Sequence, residues 1–251
     1  MSAIPLVLLN AFPADKEQWE PLLAVLENSG TALGDIITFD PPGIGDMPAT
    51  DEMPSLELIA DAAVLAMREV TGSKAALWVG CSMGGYVAMA VLERHADAVA
   101  GLGLLGTRAT ADTPEAAQRR LEAAQAAREH DGLAESLAAA KGLLGVSSHQ
   151  DAALLAAITE NLARQGGAGI AWGQEAMAAR PGRLDVLEGC EVPAFVARGT
   201  EDTITSAQDA ETMAQALGVE AIEVPAAGHL LATEKPQVVA GLVLDLARAI
   251  R

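Results

Sequence analysis

The sequence predicts an α/β protein of three layers, with a mainly parallel sheet of about six strands between two layers of helices and an all-helical insertion. Three observations carry that reading. Short apolar runs alternate with segments of helical period, the pattern of βα units whose strands are buried on both faces. The alternation breaks once, from residue 109 to about 180, where alanine-rich helical sequence is punctuated by Asp131-Gly132, residues 145–148 and Gly166-Gly167. Finally, 251 residues of which 51% are apolar suffice for one buried core in a single domain that carries an insertion.

The elements follow in order. Pro5 opens an apolar strand at 5–10, too short to cross a membrane. Further apolar runs place strands at 36–40, 75–80 and 99–106, with helical patterns between them at 19–27, 56–70 and 86–95. In the insertion, Thr113 suits an N-cap and Pro114 the first helical position. A second helix is expected to start at Ser148, with Asp151 at capping-box spacing. The alternation then resumes with strands at 194–199 and 221–224 and helices at 206–217 and 237–250. The expected division is therefore a first core segment at 1–108, a helical cap at 109–181 and a second core segment at 182–251.

Charge and cysteine content exclude several classes. A net charge of −18 repels nucleic acid and anionic membranes, which leaves small molecules as partners. Cys81 and Cys190 cannot build a disulfide framework and sit in no metal-like cluster, so both read as buried thiols in a reducing compartment. The N-terminus lacks the basic start of a signal peptide. The expectation is a cytoplasmic protein; its oligomeric state is open, a homo-oligomer included.

The chemistry is concentrated in Gly80-Cys81-Ser82-Met83-Gly84, which follows an apolar run and precedes a helical one. A serine on a sharp strand-to-helix turn crowds its neighbours at i−2 and i+2, and glycine there relieves the crowding. The helix N-terminus then directs free N–H groups towards the serine oxygen and any oxyanion beside it. Alone, the pattern is weak. A phosphate loop is a competing reading, but no Gly-Lys-Ser/Thr follows and the spacing is not G-x-G-x-x-G.

A serine hydroxyl needs a base. Of the four histidines, His95, His130 and His149 lie at helix ends and read as surface or capping groups. His229 differs, because the small-residue loop 225–229 leaves the C-terminal end of the last strand, the edge where parallel sheets collect their sites. A carboxylate should orient the base. Asp202 is the better candidate and Glu201 the competitor, both on the loop that follows Gly199. The chain order Ser82, Asp202, His229 matches one of the known triad orders.

With these residues in place, the chain resembles the α/β-hydrolase superfamily, in the branch of small esterases, enol-lactonases, C–C bond hydrolases and cofactor-free haloperoxidases. The resemblance spans nearly the whole chain. It rests on the serine turn, the acid loop Gly199-Thr200-Glu201-Asp202, the Gly228-His229 pair, and Asp40-Pro41-Pro42-Gly43-Ile44-Gly45, similar to the family's D-x-x-G-x-G turn. It implies a cap over the site, no metal and no cofactor, and an oxyanion hole made by the backbone N–H groups of Phe12 and Met83. Two departures stand out. Asn10-Ala11 replaces the family's usual His-Gly, with Asn10 able to supply a histidine's bracing hydrogen bonds, and the antiparallel hairpin that commonly precedes the first parallel strand is missing. Asn10, Trp172 and Met177 are the expected pocket residues, with Trp19 a weaker candidate.

The expected function is hydrolysis of an uncharged ester or lactone through an acyl-serine. Perhydrolase or haloperoxidase chemistry, C–C hydrolysis or lyase chemistry with the same triad, and a non-catalytic sensor are the alternatives. A lyase acting on an anion would call for clustered arginines, for which Arg94, Arg108 and Arg180 are candidates.

Overall fold

The structure is a computed structural model that describes residues 3–30, 33–132 and 136–250, so the outer ends of the first and last predicted segments lie outside the described residues. In chain order the elements are β1 (Leu6–Leu9), α1 (Glu20–Asn28), β2 (Ile36–Phe39), α2 (Leu56–Thr71), β3 (Ala76–Cys81), α3 (Met83–Arg94) and β4 (Val99–Leu105). Then come four helices, α4 (Pro114–His130), α5 (Ser136–Leu143), α6 (Ala152–Ala163) and α7 (Gly167–Ala178). The chain returns through α8 (Leu184–Glu188) to β5 (Ala194–Gly199), α9 (Ala207–Leu217), β6 (Ala221–Val224), α10 (Leu231–Glu234) and α11 (Pro236–Ala249).

The six strands form one sheet in the order β2-β1-β3-β4-β5-β6, and every neighbouring pair is parallel. No antiparallel strand precedes β1 among the described residues. The central strands are apolar along their length and serve both faces, because successive side chains point to opposite sides of the sheet. Leu6, Leu8, Leu77 and Val79 pack with Leu22 and Leu26 of α1 and Val239 and Val243 of α11. Val7, Leu9 and Trp78 face the other way, against Ile59 and Met67 of α2, Val87 of α3 and Met213 of α9. The chain leaves β1 for β2 on one side and returns to β3 on the other, so the loops after β1 and β3 diverge and open a crevice at the C-terminal edge.

Some helix starts are capped by side chains. The Thr113 hydroxyl accepts the Ala116 N–H, with Pro114 opening α4. Ser206 and Asp209 form a reciprocal capping box on α9. One expected cap is displaced. The carboxylate of Asp151, not Ser148, caps α6 by accepting the N–H groups of Ala153 and Leu154. Ser148 lies within a 3-10 turn, Val146–Gln150, and its hydroxyl donates to Glu234 (2.6 Å). A carboxylate is the stronger acceptor, and the half-buried Glu234 draws the serine away. The expected helix 86–95 also begins earlier, at Met83, because the turn at Ser82 leads straight into it.

The helical insert is held to the sheet by polar ties as well as apolar packing. Asp15, in the loop after β1, is buried and accepts hydrogen bonds from Asn161 Nδ2 (2.7 Å), Gln165 Nε2 (2.8 Å) and Arg164 Nε (2.9 Å) of the α6 region. Its own N–H donates to Asn161 Oδ1 (3.1 Å). On the other side of the insert, Glu234 Oε2 accepts from Gly145 N–H (2.8 Å), and Glu201 accepts from the N–H and hydroxyl of Ser147. Replacing Asp15 by alanine strands the buried Asn161 amide N–H and removes one of the two acceptors of Gln165 Nε2. The expected loss is about 3 kcal/mol, read from urea unfolding, together with faster proteolysis within the insert; an unchanged unfolding midpoint would contradict this role for Asp15.

Candidate active site

Ser82 sits at φ 53°, ψ −114°, between the last residue of β3 and the first of α3. The turn is tight enough that a Cβ on Gly80 would lie 2.2 Å from the Gly84 carbonyl oxygen, and one on Gly84 would lie 2.0 Å from that of Leu9. Both contacts are backbone and cannot give way. Hydrogen bonds fix the turn from three sides: Ser82 N–H to Leu105 O (2.9 Å), Gly84 N–H to Asn10 O (2.9 Å), and Thr107 Oγ1 to Ser82 O (2.7 Å). Strain at a non-glycine residue is maintained where its surroundings over-determine it.

His229 and Asp202 lie on the loops after β6 and β5. Their side chains are 1% and 0% exposed, and His229 Nδ1 is 2.9 Å from Asp202 Oδ2. Asp202 Oδ1 accepts the N–H groups of Ile204 (2.8 Å) and Thr205 (3.1 Å), and Oδ2 accepts the Thr205 hydroxyl. Burial alone would raise the Asp202 carboxyl; the hydrogen bond and charge of His229, with Thr205 and Ile204, outweigh it and bring it down to about 2. An ionised carboxylate accepts only, so Nδ1 carries the proton and Nε2 presents its lone pair. The orientation of the His229 ring is thereby fixed through Nδ1. Its backbone N–H donates to Leu143 O (2.9 Å), so the insert helps to hold the loop.

Ser82 and His229 line one cavity of about 250 Å³. The hydrogen bond of the His229 ring runs to Asp202, and none joins it to the Ser82 side chain. The competitor Glu201 is engaged by Ser147 instead. The remaining histidines lie elsewhere: His95 Nε2 is 2.7 Å from Asp61, His149 Nε2 contacts the carbonyl of Lys141 (3.0 Å), and His130 ends α4. Cys81, next to Ser82, is fully buried with Sγ 3.4 Å from His229 O, and burial pushes its thiol far above the usual range, so it is no rival nucleophile. Among the described residues no cluster of three or more His, Cys, Asp or Glu side chains could hold a metal ion.

The loop after β1 brings Phe12 to the cavity wall. Asn10 is only 2% exposed and lies behind that loop, not in the cavity. Its amide donates to Asp40 Oδ1 (2.8 Å) and accepts from Trp19 Nε1 (2.8 Å). Ala11 N–H is taken by Gln18 Oε1 (3.1 Å), whereas among the described residues neither Phe12 N–H nor Met83 N–H donates to a protein acceptor. Trp172 is also displaced from its expected place. Its indole N–H donates to Glu52 O (3.0 Å) and its ring packs in the core, because a large amphipathic ring is best satisfied there. Met177 does line the cavity.

Of the lining, Tyr86, Arg120, Gln174 and Ile204 were not singled out in the sequence, and Arg108 was named there only as one of three candidate arginines for binding an anion. Two were reachable by periodicity, since Tyr86 is four residues beyond Ser82 on α3 and Gln174 three before Met177 on α7. Arg108 follows β4 at the same sheet edge. Arg94 pairs with Asp61, and Arg180 pairs with Asp112 and stacks on Tyr86 at 4.1 Å, so neither reaches the cavity.

Comparison with known proteins is consistent across sequence and structure. A family model described as the alpha/beta hydrolase family matches residues 6–242. No curated protein matches the sequence. A thermophilic esterase from Thermogutta terrifontis, solved with malate bound, superposes with a TM-score of 0.91 at 26% identity, covering 99% of this chain and 91% of that one. The enol-lactonase from Burkholderia xenovorans LB400 gives 0.87 at 26%, covering 99% and 92%. A bromoperoxidase from Bacillus anthracis, at 0.82 and 16%, covering 98% and 92%, shares the fold.

Two outcomes follow from the local geometry. Gly84→Ala sets a methyl group against a fixed carbonyl and should cost more than about 3 kcal/mol in urea unfolding, or abolish folding; a variant of wild-type stability would contradict the geometry of the turn. Because the Asp202 carboxyl lies below its unperturbed value of 3.8, its stabilisation is complete above about pH 4 and is lost as the pH falls through about 2. Asp202→Asn should remove on the order of 2 kcal/mol of acid dependence in that window, read by unfolding at stepped pH; an unaltered acid limb would show that another group titrates there.

Proposed function

As the chain belongs to the alpha/beta hydrolase family, we propose that it is a serine hydrolase that cleaves a small ester or lactone through an acyl-serine intermediate. The observation that carries this reading is the buried Asp202–His229 contact of 2.9 Å, with His229 and Ser82 on the wall of one cavity. Likeness to an esterase and to an enol-lactonase, each at 26% identity, supports it.

In the proposed reaction His229 Nε2 takes the proton of Ser82 Oγ as that oxygen bonds to the substrate carbonyl carbon. The carbonyl π pair moves onto oxygen, and the N–H groups of Phe12 and Met83 receive the resulting anion. The tetrahedral species collapses, the bond to the leaving alkoxide breaks, and the imidazolium returns its proton to that oxygen. Water, deprotonated by His229, then attacks the acyl-serine and releases the acid by the same steps. Asp202 stays ionised throughout and stabilises the imidazolium.

The helical segment 109–181 serves in this reading as a cap that narrows the site, with Met177 and Gln174 on its inner wall. No helix among the described residues is long and apolar enough to cross a membrane. We place the enzyme in the cytoplasm, on the strength of its free thiols Cys81 and Cys190.

A fluorophosphonate probe should label Ser82 in the folded protein, located by mass spectrometry of the modified peptide, and an ester and lactone panel should show turnover. Ser82→Ala should abolish labelling and lower kcat by a factor on the order of 10⁴ or more, and Asp202→Asn should lower it by about 10⁴. Absence of labelling in folded protein, or retained turnover in Ser82→Ala, would overturn the reading.

A further inference from the structure

The chain carries 34 acidic residues against 16 basic ones, so a guanidinium left without a carboxylate is out of keeping with the rest of the molecule. Among the described residues only Arg108 and Arg119 are arginines outside any ion pair; each of the others lies within salt-bridge distance of an Asp or Glu. Both exceptions are at the candidate site. Arg108 lines the cavity that holds Ser82 and His229, and among the described residues no Asp or Glu lines that cavity. A groove of about 310 Å³ adjoins it, sharing Arg108, Arg120 and Gln174 with the cavity, and Arg119 lies along this groove. Asp112, the one carboxylate among the groove's described residues, is taken up by Arg120 and Arg180.

The placement of Arg108 is built into the sheet edge. Its neighbour Thr107 donates its hydroxyl to Ser82 O (2.7 Å), which ties the loop after β4 to the serine turn. Arg108 Nη2 donates to the Ile204 carbonyl, two residues past Asp202. Its Nε is buried without an acceptor. Such a donor is costly to leave unmet, and a fixed guanidinium fork matches a carboxylate in geometry and charge.

Resting on the serine hydrolase reading, we propose that the substrate is an ester bearing a free carboxylate, held by Arg108 while Ser82 faces the scissile carbonyl, with Arg119 drawing the anion in along the groove. Overall charge suggested an uncharged substrate; the local charge has the opposite sign, and over a few ångströms the local guanidinium prevails, because more distant surface charges are screened.

The test compares monomethyl glutarate and monomethyl adipate with the methyl esters of the matching carboxamide acids, which keep shape and lose the charge. Methanol release should give the carboxylate esters a kcat/KM at least about tenfold higher, and Arg108→Gln should bring that ratio close to one, chiefly through KM. Arg108→Lys should retain part of the preference, and circular dichroism checks that the variants fold. Equal wild-type turnover of acid and amide, or a loss in Arg108→Gln that leaves the ratio unchanged, would overturn the proposal. Calorimetric binding of monomethyl glutarate and its amide to Ser82→Ala reads recognition without turnover. Preference for the acid that depends on Arg108, with no hydrolysis by the wild type, would uphold the anion site while sinking the hydrolase reading; equal binding would sink the anion site.

Discussion

The close approach of bare backbone at the turn from β3 to α3 is the constraint on which the rest of the site depends. Gly80 and Gly84 let the start of α3 settle against the carbonyl of Leu9 at the end of β1, where side chains would collide with peptide atoms. That contact joins two neighbouring strands whose connections run in opposite directions, so the crevice between their loops has a fixed width. It also locks the serine backbone at φ 53°, and it sets the first turn of α3 beside the loop carrying Phe12. The strain is small beside the core that maintains it, which buries Leu77, Trp78 and Val79 completely.

Around that turn, acidic side chains do work that their number alone does not suggest. Asp15 gathers three side chains of the α6 region, Asp40 braces Asn10, and Glu234 reaches both the Gly145 and Gly228 N–H groups, joining the insert to the histidine loop. Asp202 is saturated with donors and so remains a carboxylate that orients the imidazole. In a chain of net charge −18, buried acids with full hydrogen-bond complements spare the interior an uncompensated charge. The insert and the sheet are thus tied together at two separate points, near the loop after β1 and near the loop of His229.

The strands were legible because parallel strands buried on both faces are written as unbroken apolar runs, as in Leu6-Val7-Leu8-Leu9, and all six lie within a few residues of their expected bounds. The serine turn was legible because its sterics demand glycine at set offsets. The cap at Ser148 was misread because the rival acceptor, Asp151, stands three residues away and the attraction of Glu234 is tertiary. Trp172 was expected in the pocket from its place in the helical insert and Asn10 from its place in the loop after β1, and both serve hydrogen bonds elsewhere. Arg108 was one of three candidate arginines, with nothing in their spacing to separate them.

By itself the sequence determined the layer order and the break in the βα alternation, and it singled out Ser82, His229 and the acid loop of Glu201 and Asp202 as candidates, because each is tied to a strand end and a local pattern. Only the tertiary structure decided which side chains face the cavity, that Asp202 and not Glu201 meets the imidazole, and that Arg108 stands there without a carboxylate partner among the described residues. Those outcomes depend on which loops converge at one sheet edge and on which acids neighbouring helices have already claimed, and neither is a property of a contiguous stretch of chain.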